Sequence, residues 1–296
     1  VTNSNTIDVG AAATAVGGAT AATAVAGAQG IVQGGLAVAT TLHLALTTAT
    51  FTSAGGHPSR TSQFLTPTAN GVTFTPVGAV NASVTNSGAI TVIASASANA
   101  GTAAAAAAHA TGILQAVATS GLLTNVATAA NLTVNNTGTL VVGAHANAAG
   151  TAASAAAAAA GVFQVAAATS ENLSIVNSGT ATVTAHAIAS AVGPTGTATT
   201  ATGTTGVGPA SASAVALGLG QIAVGATTGA VSVTNSGTLN VAARATAKGT
   251  SANAFASAIG VWQSVDPLPI NFTNSGTLNV LAAANAVGSA GAATAT

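Results

Sequence analysis

The chain has 296 residues, of which only 2% are charged, and its ionised side chains are Asp8, Glu171, Asp266, Arg60, Arg244 and Lys248. Three scattered basic residues cannot neutralise a run of phosphates, which excludes a nucleic-acid partner. Nearly half the residues are hydrophobic, but most of these are alanine, aromatics make up 2% and there is no cysteine. The core must therefore be thin, at about 0.8 kcal/mol per buried methyl, and held largely by backbone hydrogen bonds without disulfides.

In chain order, the first feature is an Asn-Ser-Gly turn or a near copy of it, which begins at Asn3 and returns at Asn86, Asn136, Asn177, Asn235 and Asn274. An alternating run follows each turn. Its second position holds Ile7, Ile90, Leu140, Ala181, Leu239 and Leu278, and two residues further on stand Val9, Val92, Val142, Val183, Val241 and Val280. The next three alternate positions are alanine in every copy, such as Ala94, Ala96 and Ala98, or Ala243, Ala245 and Ala247. Between them the residues vary, with Ser95, His145, His186 and Arg244 sharing one column. A period of two with one constant face predicts half-buried β-strands. Recurrence of the unit predicts an all-β, parallel β-helix-like solenoid with an alanine core. Ala103–Ala108 alone would suit a helix, but the six-fold period of two, interspersed with Thr, Val, Ser and Asn, argues against one. No run of about twenty apolar residues is free of polar interruption, so no membrane span is expected.

A second alternating run follows the first, as in 252–258, and ends in Gly30-Ile31-Val32-Gln33, Gly112-Ile113-Leu114-Gln115, Gly161-Val162-Phe163-Gln164, Gly260-Val261-Trp262-Gln263 and a looser Gly218-Leu219-Gly220-Gln221. Two runs with alanine on one face predict two strands closing over an alanine seam. The turn has its own physical logic, since asparagine bonds locally and glycine is expected to supply a positive φ. Structural turn residues are thus Asn86, Gly88, Asn136, Gly138, Asn177, Gly179, Asn235, Gly237, Asn274 and Gly276. Stacked at one corner, the asparagines would bond as a ladder, and the glutamines at a second. One module forms either one wide coil or two narrow ones.

The whole of 1–296 reads as one repeat domain of about six modules with two insertions. Residues 193–209, rich in Gly and Thr, read as a loop insertion. Residues 36–80 depart furthest, with Leu42, Leu44 and Leu46 alternating like a strand and three of the six phenylalanines. Phe51, Phe64 and Phe74 there are the candidate contact residues.

No catalytic constellation is evident, and an enzyme is not expected. The three acids lie in different modules, no Gly-x-Ser-x-Gly elbow occurs, and calcium-binding Gly-Gly-x-Gly-x-Asp repeats are missing. His145 and His186 share a column, yet two histidines without a third ligand make a poor metal site; no cofactor is expected. Sequons at Asn81, Asn131, Asn135, Asn172 and Asn271 follow from composition and the turn pattern. Ice binding is disfavoured by an irregular outward column, Asp8, Thr91, Val141, Thr182, Asn240 and Asn279.

The repeated Val-x-Asn-Ser-Gly-Thr-Leu-x-Val-x-Ala-x-Ala, carried by Gly88-Ala89-Ile90, Gly138-Thr139-Leu140 and Gly237-Thr238-Leu239, resembles the β-solenoid repeats of bacterial autotransporter passengers and related secreted filamentous surface proteins. The resemblance implies an extracellular or cell-surface bacterial protein with structural or adhesive duties. Two departures accompany it: no membrane-barrel domain follows, and alanine replaces bulkier core residues. With a neutral surface, no initiator Met and no Lys, Pro or aromatic plug at either end, the sequence reads as a processed or excerpted piece. It is expected to stack head to tail with itself into a fibre. The alternative is an adhesin, with the solenoid as stalk and residues 36–80 contacting a host or cell-surface ligand.

Overall fold

A computed structural model describes residues 1–18, 20–34, 43–51, 60–68, 79–117, 127–191, 208–288 and 290–296. The chain is a parallel β-solenoid of six coils. A full coil has three sides, and Asn136 to Asn177 serves as the example; the sixth comprises the front strand Thr277–Val287 and the start of an alanine side, Ala290–Ala295. Residues after the asparagine turn form the front side, Thr139–Gly150. A glycine corner leads into one long bent strand, Ala152–Asn177, whose first half is the alanine side and whose second half is the return side.

The six front strands make one parallel sheet, in the order Thr277–Val287, Thr238–Lys248, Thr180–Ala191, Thr139–Gly150, Ala89–Ala100 and Thr6–Gly17. The alanine and return sides merge into one eleven-stranded sheet through the bent strand. Register follows the repeat to the residue: Ile7 lies beside Ile90, Ile90 beside Leu140, Leu140 beside Ala181, Ala181 beside Leu239 and Leu239 beside Leu278. Asn136 pairs directly with Asn177, and Gln164 with Gln115. One module is therefore one wide coil. At about 4.8 Å per strand spacing, six coils stand roughly 30 Å high.

The alanine columns face inward, as the alternation predicts. Ala94, Ala96, Ala98, Ala144, Ala146 and Ala148 of the front side are buried against Ala104, Ala106, Ala108, Ala153, Ala155 and Ala157 of the alanine side. The valine column of the front side meets the glycine column opposite. A Cβ on Gly112 would lie 2.7 Å from Val142 Cγ2, and one on Gly161 2.7 Å from Val183 Cγ2. Glycine is required there because the carbonyl of the next coil's glycine lies still closer, 2.6 Å from a Cβ on Gly112 and 2.5 Å from one on Gly161, with the opposing valine filling the remaining space. A second core, with Leu132, Ala168, Leu173 and Val231, fills the corner between the alanine and return sides.

An apolar patch also lies on the outward side of the bend. Phe163 is buried, packed with Leu114 and Leu217; its ring stacks on Trp262 at 6.2 Å, with Gly220 leaving room between them. Outside the solenoid sheets, His43–Phe51 and Arg60–Thr68 form an antiparallel hairpin. The strand suggested by Leu44 and Leu46 thus exists, with its backbone paired to Pro67 and Leu65.

Candidate functional site

The polar groups that the fold organises most completely are its side-chain amides. Asn3 Nδ2 donates to Asn86 Oδ1, Asn86 to Asn136, Asn136 to Asn177, Asn177 to Asn235 and Asn235 to Asn274, at 2.7–2.8 Å. Each Nδ2 also donates to a carbonyl in the next coil, as Asn86 does to Thr139 at 3.1 Å and Asn177 to Thr238 at 3.2 Å. These second bonds fix which way each amide points. The glutamines do the same at another corner. Gln115 donates to Gln33, Gln164 to Gln115, Gln221 to Gln164 and Gln263 to Gln221, at 2.7–2.8 Å. Their remaining hydrogens reach across to the return side, to Ser83, Thr133, Ser174 and Ser232 carbonyls. Gln33, Gln115, Gln164 and Gln221 thus join coil to coil and the alanine side to the return side. Asn86, Asn235, Gln115, Gln164 and Gln221 are wholly buried, where an unmade amide bond would cost about 1–3 kcal/mol.

The turn glycines serve a different purpose from the one expected. Positive φ occurs among the described glycines at Gly225 and Gly229, not at Gly88, Gly138, Gly179, Gly237 or Gly276. Instead, a Cβ on each turn glycine would collide with the backbone carbonyl of the turn in the coil before: Asn5 for Gly88, Gly88 for Gly138, Gly138 for Gly179, Gly179 for Gly237 and Gly237 for Gly276. What calls for glycine at these turns is coil-to-coil approach rather than a positive φ. That approach lets the turn amides bond the preceding coil, as Gly138 N–H does to Asn86 O at 3.0 Å.

The remaining candidates fall apart or come together as follows. Phe51 and Phe64 occupy hairpin strands, in register with Arg60 and Thr47, and Phe74 lies outside the described residues. His145 and His186 are register neighbours, with rings edge to face at 6.3 Å. Arg244 follows them in the column. Burial, then His145 and Arg244, lower the His186 pKa. No cluster of three metal-ligating side chains occurs among the described residues. An open trough of about 390 Å³ runs over the start of the alanine side, lined by alanines with Thr23, Ser154, Ser211 and Asn253, and carries no charge.

Sequence reasoning passed over Glu171. It is fully buried at the bend of the third coil, in register with Ala130 and Gly229. Its Oε1 accepts the Ala168 N–H at 2.6 Å, while Oε2 has no hydrogen-bond partner. Burial pushes its pKa up to about 7, against the opposing pull of the Ala168 and Val224 amides. The available signal was a lone acid inside a corner otherwise built of Ala, Thr and Ser.

The geometry defines a repeat protein of the parallel β-solenoid class, whose organised groups bind one coil to the next. No family model, curated protein or solved structure matches the chain. No helix among the described residues is long and apolar enough to cross a membrane.

Proposed function

We propose that the chain is a structural building block, a β-solenoid segment of an exported bacterial surface or matrix fibre. The observation that carries this reading is the pair of amide ladders running through the coils, Asn3 to Asn274 and Gln33 to Gln263. Nearly every buried polar side chain belongs to a ladder rather than to a pocket. Such an arrangement is suited to transmitting load along the stack. Its low charge supports the same reading, because assembly of such a surface depends on shape and hydrogen bonding rather than on ion pairs. An antibody against the chain should decorate extracellular fibres or the surface of cells that produce it. Labelling confined to the cell interior would sink the proposal.

A second reading, an adhesin with the solenoid as stalk, is favoured by one observation. The hairpin of His43–Phe51 and Arg60–Thr68 forms a sheet of its own, separate from both solenoid sheets. Binding to host cells that disappears when residues 36–78 are replaced by a short linker would select this reading over the first.

A further inference from the structure

The outer face of the front side carries one file of basic side chains. Register places Ser95, His145, His186, Arg244 and Ala283 side by side on successive coils. Neighbours in such a file stand about 4.8 Å apart at the backbone. His145 and Arg244 are exposed, and His186 is half-buried between them. The three basic stations are consecutive and lie within the stack, with a described coil on either side.

Among the described residues, no carboxylate neutralises this file. Burial lowers the His186 pKa most, and the two charges that act on it, His145 and Arg244, are of like sign and lower it further. The strand Ala89–Ala100 presents no titratable group, and Thr238–Lys248 presents Arg244 and Lys248. Behind the front side, His109 and Glu171 lie beyond the buried alanines that back the file. Asp8 is the one acid on the six front strands, two coils and four residues away from His145. That is roughly 16 Å, well past the Debye length of about 8 Å at physiological salt. Like charges side by side on adjacent strands are destabilising. A chain with only three Lys and Arg residues gains no stability by setting one of them next to two histidines.

The donors also converge. Gly143 leaves an outward station of the third coil without a side chain, and a Cβ there would stand 3.3 Å from His145 Nε2, 3.5 Å from Thr184 Oγ1 and 3.8 Å from Ile93 Cγ1. Imidazole nitrogen and hydroxyl thus border the same notch. The His186 ring stands edge to face with His145 at 6.3 Å, two residues from Thr184 and on the same face of its strand. Two imidazoles, a hydroxyl and a guanidinium suit an acceptor with several oxygens and full negative charge. A metal ion is disfavoured, because Arg244 repels it and two histidines leave it short of ligands. Lys248 lies four residues beyond Arg244, about 13 Å away, so the site reads one charged group rather than a run of them.

We propose that His145, Thr184, His186 and Arg244 form a binding site for a single tetrahedral oxyanion, sulfate or phosphate, free or as an ester. The bound anion offsets the mutual repulsion of the file and favours protonated histidine. Binding therefore tightens as pH falls through the histidine range. The site adds a ligand to the front side and stands or falls independently of the structural reading above.

Sulfate is the probe, because it stays doubly charged from pH 5 to pH 8 and any pH dependence then belongs to the protein. Calorimetric titration with sodium sulfate is compared with sodium chloride at matched ionic strength, at pH 5.5 and pH 8. The dissociation constant should be at least fivefold lower at pH 5.5. Arg244→Gln should raise it at least tenfold at both values, and His186→Gln should remove most of the pH dependence. Lys248→Gln should leave it within twofold. Glucose 6-phosphate and glucose at pH 8 separate the sources: an ester that binds more tightly than sulfate assigns the site to a phosphorylated ligand, and equal or weaker binding assigns it to the free ion. Sulfate acting only as chloride does, or binding Arg244→Gln as well as wild type, would overturn the site. Binding that ignores pH would overturn the part given to the histidines.

Discussion

Replacing Glu171 with glutamine should make the protein more stable in mildly alkaline solution and leave it little changed in acid. The carboxyl is fully buried, its Oε2 lacks a partner, and its register neighbours Ala130 and Gly229 carry no charge. The folded-state pKa is about 7, raised from 4.5. A raised acid pKa means that the folded state holds its proton after the unfolded chain has lost it. Stability is then fully present below the unfolded value, falls as pH rises from about 4.5 to about 7, and levels off above. At 1.36 kcal/mol per pKa unit the loss is on the order of 3 kcal/mol. Glutamine keeps the neutral shape and an acceptor for the Ala168 N–H, and removes the titration.

The histidines act in the opposite direction. Burial lowers the pKa of His109, and burial with His145 and Arg244 lowers that of His186. Their contribution is present above the unfolded histidine pKa and lost as pH falls through it. The wild-type profile therefore mixes two slopes, and the difference between wild type and Glu171→Gln isolates the carboxyl. Urea unfolding at pH 4, 5, 6, 7 and 8 should show the two proteins close together at pH 4 and diverging up to pH 7. A constant difference across this range would show that folding does not raise the Glu171 pKa and would refute the reasoning.

Two further changes probe the core and the ladders. Ala146→Leu should cost about 1–3 kcal/mol or more, because the methyl faces an alanine seam with no room, whereas His145→Leu on the outer face should be nearly silent; thermal melts that fell equally would invert the assignment of faces. Gln164→Ala strands Gln115 Oε1, Gln221 Nε2 and the Ser174 carbonyl and should cost on the order of 2–4 kcal/mol. Asn131→Ala, in the exposed file of Asn81, Asn131 and Asn172, should cost far less, and equal losses in chemical denaturation would remove the energetic argument for the buried ladders.

The front and alanine sides were legible because each coil repeats one pattern of burial. A column such as Ala94, Ala144, Ala185 and Ala243 is inward in every copy, so the alternation gives its register directly. The buried Asn and Gln stations were legible for the same reason: a polar residue held constant at a corner finds its partner in its own copy. What depends on the neighbouring coil was not legible. Gly138 looks like an ordinary turn glycine until the Gly88 carbonyl beneath it is seen. The outward packing of Phe163 on Leu114 and Trp262 follows the third column of the Gly-x-x-Gln signature, but the contact with Leu217 comes from another column and only the folded coils show it. Glu171 was hidden because a carboxyl in a linking stretch reads as solvated, and only the bend of the third coil encloses it.

The two ladders have opposite polarity, and this bears on how the ends are recognised. Asparagine Nδ2 groups donate toward the C-terminal coils, from Asn3 to Asn86 and onward, while glutamine Nε2 groups donate toward the N-terminal coils, from Gln263 to Gln221 and back to Gln33. Aligned amides polarise one another along each file, but two opposed files largely cancel along the stack. Neither end gains a net partial charge from them, and the chain has only six ionised side chains to add one. An approaching coil therefore finds little electrostatic distinction between the ends.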